Sequence, residues 1–464
     1  MQHYTKILSD FVFGLKYGDL PRGTVENTKK VILDWYSAAF AGMKVNCAFN
    51  ETVRSVYLNG GEKTASVLCD HRRLYSETDA AFMNAVYAHG ADMDDGNRLS
   101  MGHIAASVIS AIFAVFESDG RKNAANYRGE EVIVAIIAGY EIFNRIGAAA
   151  QPGLVKRGFH STGTAGGMAC AAAVAKLIGL DSDGIYRAIS LAAVQSSGLI
   201  VIAESGQSVK PLNPANAARI GILSARMAEK GAVAPSFPLE SEKGWFHAMT
   251  DCVNEGRITD GLGRRFTVDE GYLKPYPSCR HTHAPIECAL RLRAVFMENY
   301  RVIPIGEIDT IEIYTYENAV RIAGQIDLPR VDEDTKFSIK YAVAYALING
   351  SFGLDALTVD AVTEEASRIA ERIRFVIDPE MEQGDKGIRG ATVSVTMRGG
   401  GTVSETVLIP KGDAAAPFSR EDAMAKLYAC SDGIISREDA DRLARWVDEF
   451  EKNTFDSVNQ AFEF

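Results

Sequence analysis

Apolar residues recur at helical spacing through most of the first half of the chain. Val25 to Gly42, Asp79 to His89, Ala105 to Glu117, Glu131 to Ile146, Gly163 to Gly179 and Pro214 to Gly231 each read as a helix. Several are apolar around most of their circumference, which requires neighbours on more than one side, as inside a large helical bundle. The run TAGGMACAAAVAKLIG is crowded with Gly and Ala and lets helix backbones approach closely; it is short for a membrane span and is interrupted by Lys176.

The pattern changes near Arg257 to Lys274, a polar stretch containing glycine. Beyond it, His283 to Asn299 reads as a helix. Asp309 to Tyr316, Ala391 to Arg398 and Thr402 to Ile409 alternate like half-buried strands, and Gly399-Gly400-Gly401 between the last two predicts a hairpin turn. Phe337 to Gly350 and the Glu364 to Arg374 region read as helical, and helices return from Arg420 onward. The expected fold is therefore mostly α: a large helical domain over residues 1–265, a smaller α+β domain over 266–412, and a helical return over 413–464 that rejoins the first domain.

Composition narrows the function classes. With 464 residues, 47% hydrophobic and 23% charged, the chain is ordinary globular material, large enough for two or three domains. Its net charge of −11, without a run of Lys and Arg, argues against nucleic acid as a partner. An anionic substrate would then need a local basic pocket, which draws attention to Lys210. Seven scattered cysteines with no C-x-x-C pair predict free thiols in a reducing compartment. The N-terminus lacks a signal-peptide apolar core, and no stretch of about 18 charge-free apolar residues follows, so a cytoplasmic chain with no membrane partner is expected.

Four polar constellations could carry chemistry. HGADMDDGNRLSMGH places Asp92, Asp94, Asp95 and His103 on a glycine-punctuated loop between apolar helices, open to reading as acid/base groups, a Mg²⁺ site or helix-capping carboxylates. KRGFHSTGTAGG sets His160 just before a helix start that Ser161 or Thr162 could cap, where backbone N–H groups favour a carboxylate; a buried histidine bonded to backbone fits equally. Lys210 precedes Pro211 and a helix beginning near Pro214, a place to hold a carboxylate or an enolate-type charge, or simply a surface lysine. KPYPSCRHTHAPIECA gathers Lys274, Cys279, Arg280, His281 and His283 at the domain boundary. The two histidines lead into a helix and would not share a face, which weakens a metal pair, and no acyl-enzyme signature surrounds Cys279.

In order, the segments DLPRGTVENTKKVILDWYSAAFAG, AHGADMDDGN, GFHSTGTAGGMACAAAVAKLIGLD, KPLNPANAARIGILSARMAEKG, KPYPSCRHTHAPIECAL and KFSIKYAVAYALINGSFG resemble the MmgE/PrpD family almost end to end. The resemblance implies a homodimer with a helical domain and an α+β lid, no cofactor and no metal. It also implies catalysis by proton abstraction on a small anionic polycarboxylate such as 2-methylcitrate or cis-aconitate. Its active-site residues fall on Asp92, His103, His160 and Lys210 as catalytic groups, with His281 or His283 as the lid's histidine; Lys274 of the same boundary motif is a further expected substrate contact. Two departures fall on the substrate-facing loops: Gly96 stands where the decarboxylase branch has Thr, and Asn213 where many relatives have His. A dehydratase or decarboxylase is the expectation, with dicarboxylate epimerisation and a silent ligand-binding protein as rivals.

Overall fold

The computed structural model describes residues 3–58, 62–70, 73–123, 125–203, 208–383 and 388–454. The chain divides into two compact units, one formed by Met1–Gly90, Asp94–Tyr272 and Ser419–Phe464, the other by Ala91–Met93 and Leu273–Phe418.

The first unit is helical. It opens with α1 (Tyr4–Gly14), α2 (Arg22–Lys44), α3 (Cys47–Tyr57), the two-residue strands β1 (Ala65–Ser66) and β2 (Leu74–Tyr75), α4 (Glu77–Gly90), α5 (Ala105–Arg121) and α6 (Gly129–Ala150). There follow α7 (Gly153–Lys156), α8 (Ser161–Leu177), α9 (Ser182–Ala193), α10 (Leu212–Glu229), α11 (Trp245–Met249) and α12 (Gly256–Thr259). Each of the six helices read from apolar spacing is present. α8 is the centre of the bundle, packed on α6 and α10. Its small residues matter there: a Cβ on Gly221 of α10 would fall 2.2 Å from Cys170 Cβ, so the two backbones meet at a distance only glycine permits. α6 is long and apolar enough to cross a bilayer by length and composition, and that stretch is wholly buried in the unit, as in a core helix.

The second unit is α+β. Helix α13 (His283–Tyr300) precedes β3 (Ile308–Thr315), α14 (Glu317–Ala323), α15 (Ile339–Asn349), α16 (Glu364–Ala370), β4 (Ile373–Ile377), β5 (Glu382–Gln383), β6 (Ile388–Arg389), β7 (Ala391–Met397) and β8 (Thr402–Val407). The main sheet has the order β4-β3-β7-β8. The glycine run makes the β7–β8 hairpin as expected: Gly400 has φ +89°, and its N–H donates to Met397 O at 2.8 Å. The Glu364–Arg374 reading needs correction. The helix stops at Ala370, and Ile373 then pairs in parallel with Ile311, because the alternating Ile373 and Phe375 complete a sheet edge that local spacing does not reveal.

The chain rejoins the first unit through α17 (Arg420–Ser431) and α18 (Arg437–Asp448), with α17 packed on α2. The residues beyond Thr454, within the expected 413–464 return, lie outside the described ones. Residues 266–272, expected in the α+β domain, belong to the helical unit: Thr267 N–H donates to Glu141 at 2.5 Å, and Tyr272 exchanges two backbone hydrogen bonds with Gly96. Residues 413–418 belong to the second unit.

Candidate active site

The loop between α4 and α5 gives each aspartate a different task. Asp95 is buried and serves as a cap from ten residues away, its Oδ1 accepting from the N–H groups of Ile104 and Ala105 at 3.3 and 2.9 Å where α5 begins. Its Oδ2 accepts from Tyr140 Oη at 2.6 Å. Burial, opposed by the Tyr140 bond and helped by the charge of Asp94, pushes the Asp95 carboxyl up to about 7. Asp94, also buried, accepts from Nδ1 of His89 at 2.8 Å. Asp92 belongs with the second unit; its backbone sits in the left-handed region at φ 50°, and its carbonyl and carboxylate hold the buried Lys274 ammonium at 2.7 and 3.3 Å.

His103 closes this loop. Its Nδ1 lies 2.7 Å from the backbone carbonyl of Asp95 and 3.6 Å from Asp94 Oδ2. Both partners only accept, so Nδ1 carries the hydrogen and, in the neutral ring, Nε2 is the nitrogen able to take a proton. The rings of His89 and His103 pack edge to face at 4.8 Å. The backbone N–H of His103 donates to Thr162 Oγ1 at 3.1 Å, which fastens the loop to the first turn of α8.

His160 is the residue immediately before α8, and neither Ser161 nor Thr162 caps the helix. Both lie inside it: Thr162 accepts from His103, and Ser161 Oγ accepts from Gln151 Nε2 at 2.8 Å. His160 is buried, donates its N–H to Gly198 O at 3.0 Å, and has its Nδ1 2.9 Å from Asn213 Nδ2. Asn213 lies in the first turn of α10, one turn after the buried Lys210, to whose carbonyl it donates at 3.2 Å. Hydrogen bonds from His103 to Thr162, between His160 and Asn213, and from Asn213 to the Lys210 carbonyl, linked by the first residues of α8, thus tie these residues together within one unit.

Gly96 has a packing reason. It pairs with Tyr272 through backbone bonds of 3.0 and 2.8 Å, and a Cβ there would fall 2.4 Å from the tyrosine hydroxyl. The ring of Tyr272 fills the place a side chain at 96 would take.

The second unit holds the remaining candidates. His283 is fully buried with both ring nitrogens committed: Nδ1 accepts from Arg280 at 3.1 Å, and Nε2 donates to Ser278 O at 3.2 Å. Burial, with the Arg280 charge, drives its imidazole far below the usual range. His281 is hydrogen-bonded through Nδ1 to Tyr316 Oη. Burial, then the charges of Arg389, Arg321, Lys274 and Arg280, pushes it down to about 3, so it is neutral.

Sequence reasoning passed over His89, Tyr140 and Tyr316, and read Thr162 only as a helix cap. His89 was visible as the last histidine of a predicted helix, five residues before Asp94; the others meet their partners only through the tertiary fold. His89, Asp94 and His103 place ligand-type atoms within 4.8 Å of one another, a set able to hold a small cation with the same atoms that otherwise share protons.

Residues 6–254 match the MmgE/PrpD N-terminal domain and residues 276–452 the MmgE/PrpD C-terminal domain, and the chain belongs to this family. Among its relatives is the cis-aconitate decarboxylase-like protein oryM of Aspergillus oryzae, 25% identical over 456 residues that cover 96% of this chain and 93% of the relative. The cis-aconitate decarboxylase of Aspergillus terreus is 25% identical, with 94% and 90% covered, and that of Homo sapiens 23% identical, with 97% and 92% covered.

Proposed function

We propose that this chain is a lyase acting on a small di- or tricarboxylate, of the class of 2-methylcitrate or cis-aconitate, by proton transfer beside a carboxylate. The observation that carries the reading is the pair His103 and His160 held in the helical unit, with Nε2 as the basic nitrogen of His103 and the buried Lys210 one turn before Asn213, the partner of His160. Family membership and the decarboxylase relatives support the substrate class.

In the dehydratase form, His103 Nε2 takes the proton next to the carboxylate, and the C–H electron pair moves onto that carboxylate as an aci-carboxylate. The Lys210 ammonium stabilises the added charge, the larger part of the barrier for so weak a carbon acid. The pair then forms the C=C bond as the β C–O bond breaks, and the hydroxyl leaves as water with a proton from the donor side of the site. In the decarboxylase form the C–C bond to a carboxylate breaks, carbon dioxide leaves, and the electron pair left on the carbon skeleton takes up a proton from the donor side of the site, so that a C–H bond replaces the C–C bond.

The test is a screen of tri- and dicarboxylates in deuterated buffer read by mass spectrometry. Loss of water or of carbon dioxide from one of them is the expected result. Deuterium entry with no other mass change would make the enzyme an epimerase, and no change in any compound would overturn the reading.

A further inference from the structure

Asn213 and His160 are 53 residues apart in sequence, both at least nine-tenths buried, and joined by a 2.9 Å contact between the amide nitrogen and Nδ1. We propose that Asn213 is a positioning residue that fixes His160 as a neutral imidazole with its hydrogen on Nε2. His160 then meets an anionic substrate as a hydrogen-bond donor and cannot serve as the base. The inference rests on the lyase reading above for its catalytic meaning, not for the placement of the proton.

Three observations support it. An amide nitrogen can only donate, so the ring nitrogen facing it must accept, which leaves the single hydrogen of a neutral ring on Nε2. The amide is also closely confined: a Cβ on either Gly163 or Gly198 would lie 3.3 Å from Asn213 Cγ, so two glycines make the slot it occupies, and Gly198 O accepts the His160 N–H. Finally, His160 immediately precedes the seventeen-residue helix α8, whose positive N-terminal end opposes an imidazolium and favours a neutral donor. His89 makes the contrast within the same unit. Its Nδ1 faces the carboxylate of Asp94, which only accepts, so its hydrogen sits on Nδ1. Two buried histidines of one unit are thereby set in opposite forms by an amide and a carboxylate.

Long-range ¹H–¹⁵N correlation spectra of the full chain labelled at histidine nitrogens, with His160→Gln to assign the signals, read the proton directly. The expected result is His160 in the Nε2–H form. A wild-type His160 protonated on Nδ1 overturns the proposal, whether or not any variant folds. Asn213→Asp keeps the shape and replaces the donor by an acceptor. It is expected to draw a proton onto Nδ1 and to add an alkaline limb to the pH profile: activity about 10- to 100-fold below wild type where the variant imidazole is neutral, with the gap narrowing at lower pH as an imidazolium regains its Nε2 hydrogen. An unchanged tautomer with a loss uniform in pH would overturn the proposal. A chain inert toward every polycarboxylate but with His160 in the Nε2–H form would sink the lyase reading and uphold the role of Asn213.

Discussion

His103 in the helical unit and His283 in the α+β unit are both histidines flanked by charge, yet the protein treats them in opposite ways. His283 has an arginine at one nitrogen and a backbone carbonyl at the other, so its imidazole is a cross-link holding the turn before α13. His103 is gripped through Nδ1, which orients the ring and leaves Nε2 as the nitrogen that defines its proton chemistry. A histidine in a cluster of charge is therefore not by itself a sign of catalysis; what separates the two is what faces Nδ1, an arginine donor in His283 and a carbonyl with a nearby carboxylate in His103.

The comparison can be pressed hardest through the helical unit. His160→Gln and Lys210→Ala are each expected to lower turnover by about 10²- to 10⁴-fold, the usual worth of a positioned proton-transfer group or charge stabiliser. Steady-state kinetics on the substrate found in the screen measure this, and full activity in either variant would break the contrast. Asp95, whose carbonyl holds His103, offers a pH test. Its folded-state pKa of about 7 stands above an unfolded value of about 3.9. Its share of stability is therefore fully present below pH 4 and lost as pH rises toward and through 7, a fall on the order of 3–4 kcal/mol by linkage. Urea titrations from pH 4 to 8 should show Asp95→Asn losing that downward component; an identical slope in the variant would contradict the assignment.

In the α+β unit the expected effects fall on stability. His283→Ala removes a buried ring and strands the Arg280 donor and the Ser278 carbonyl, at a cost of about 2–4 kcal/mol. His281→Ala breaks one hydrogen bond to Tyr316, about 1 kcal/mol. The order of the two denaturant midpoints checks the difference, and equal losses would erase it. In the helical unit, Gly96→Ala must displace the Tyr272 ring at a cost of about 1–3 kcal/mol, also read from the midpoint, which leaves His281→Ala the smallest expected effect.

Much of the helical unit was legible because burial on several sides writes itself into local spacing, as in Ala105 to Glu117, and because α8 and α10 carry the small residues their contact requires. β4 was not legible, since Ile373 and Phe375 take their strand form from pairing with β3, about sixty residues earlier. At the site, residue types such as His103, His160 and Lys210 could be named from their motifs. What each imidazole does depends on partners brought in by the fold: the Asp95 carbonyl, Asn213 of α10, and Arg280 folded back on His283. Gly96 shows the same limit in reverse, a departure that reads as a change in substrate contact and proves to be filled by Tyr272.

The central claim is that His103, held through Nδ1, is the base that removes a proton beside a carboxylate. Its most direct test is the rate at which wild type and His103→Gln exchange that carbon-bound hydrogen with deuterated solvent, followed by NMR on the accepted polycarboxylate. The account predicts exchange in the wild type and a rate at least about 100-fold lower in His103→Gln with substrate still bound. Exchange at the wild-type rate in the variant would contradict it.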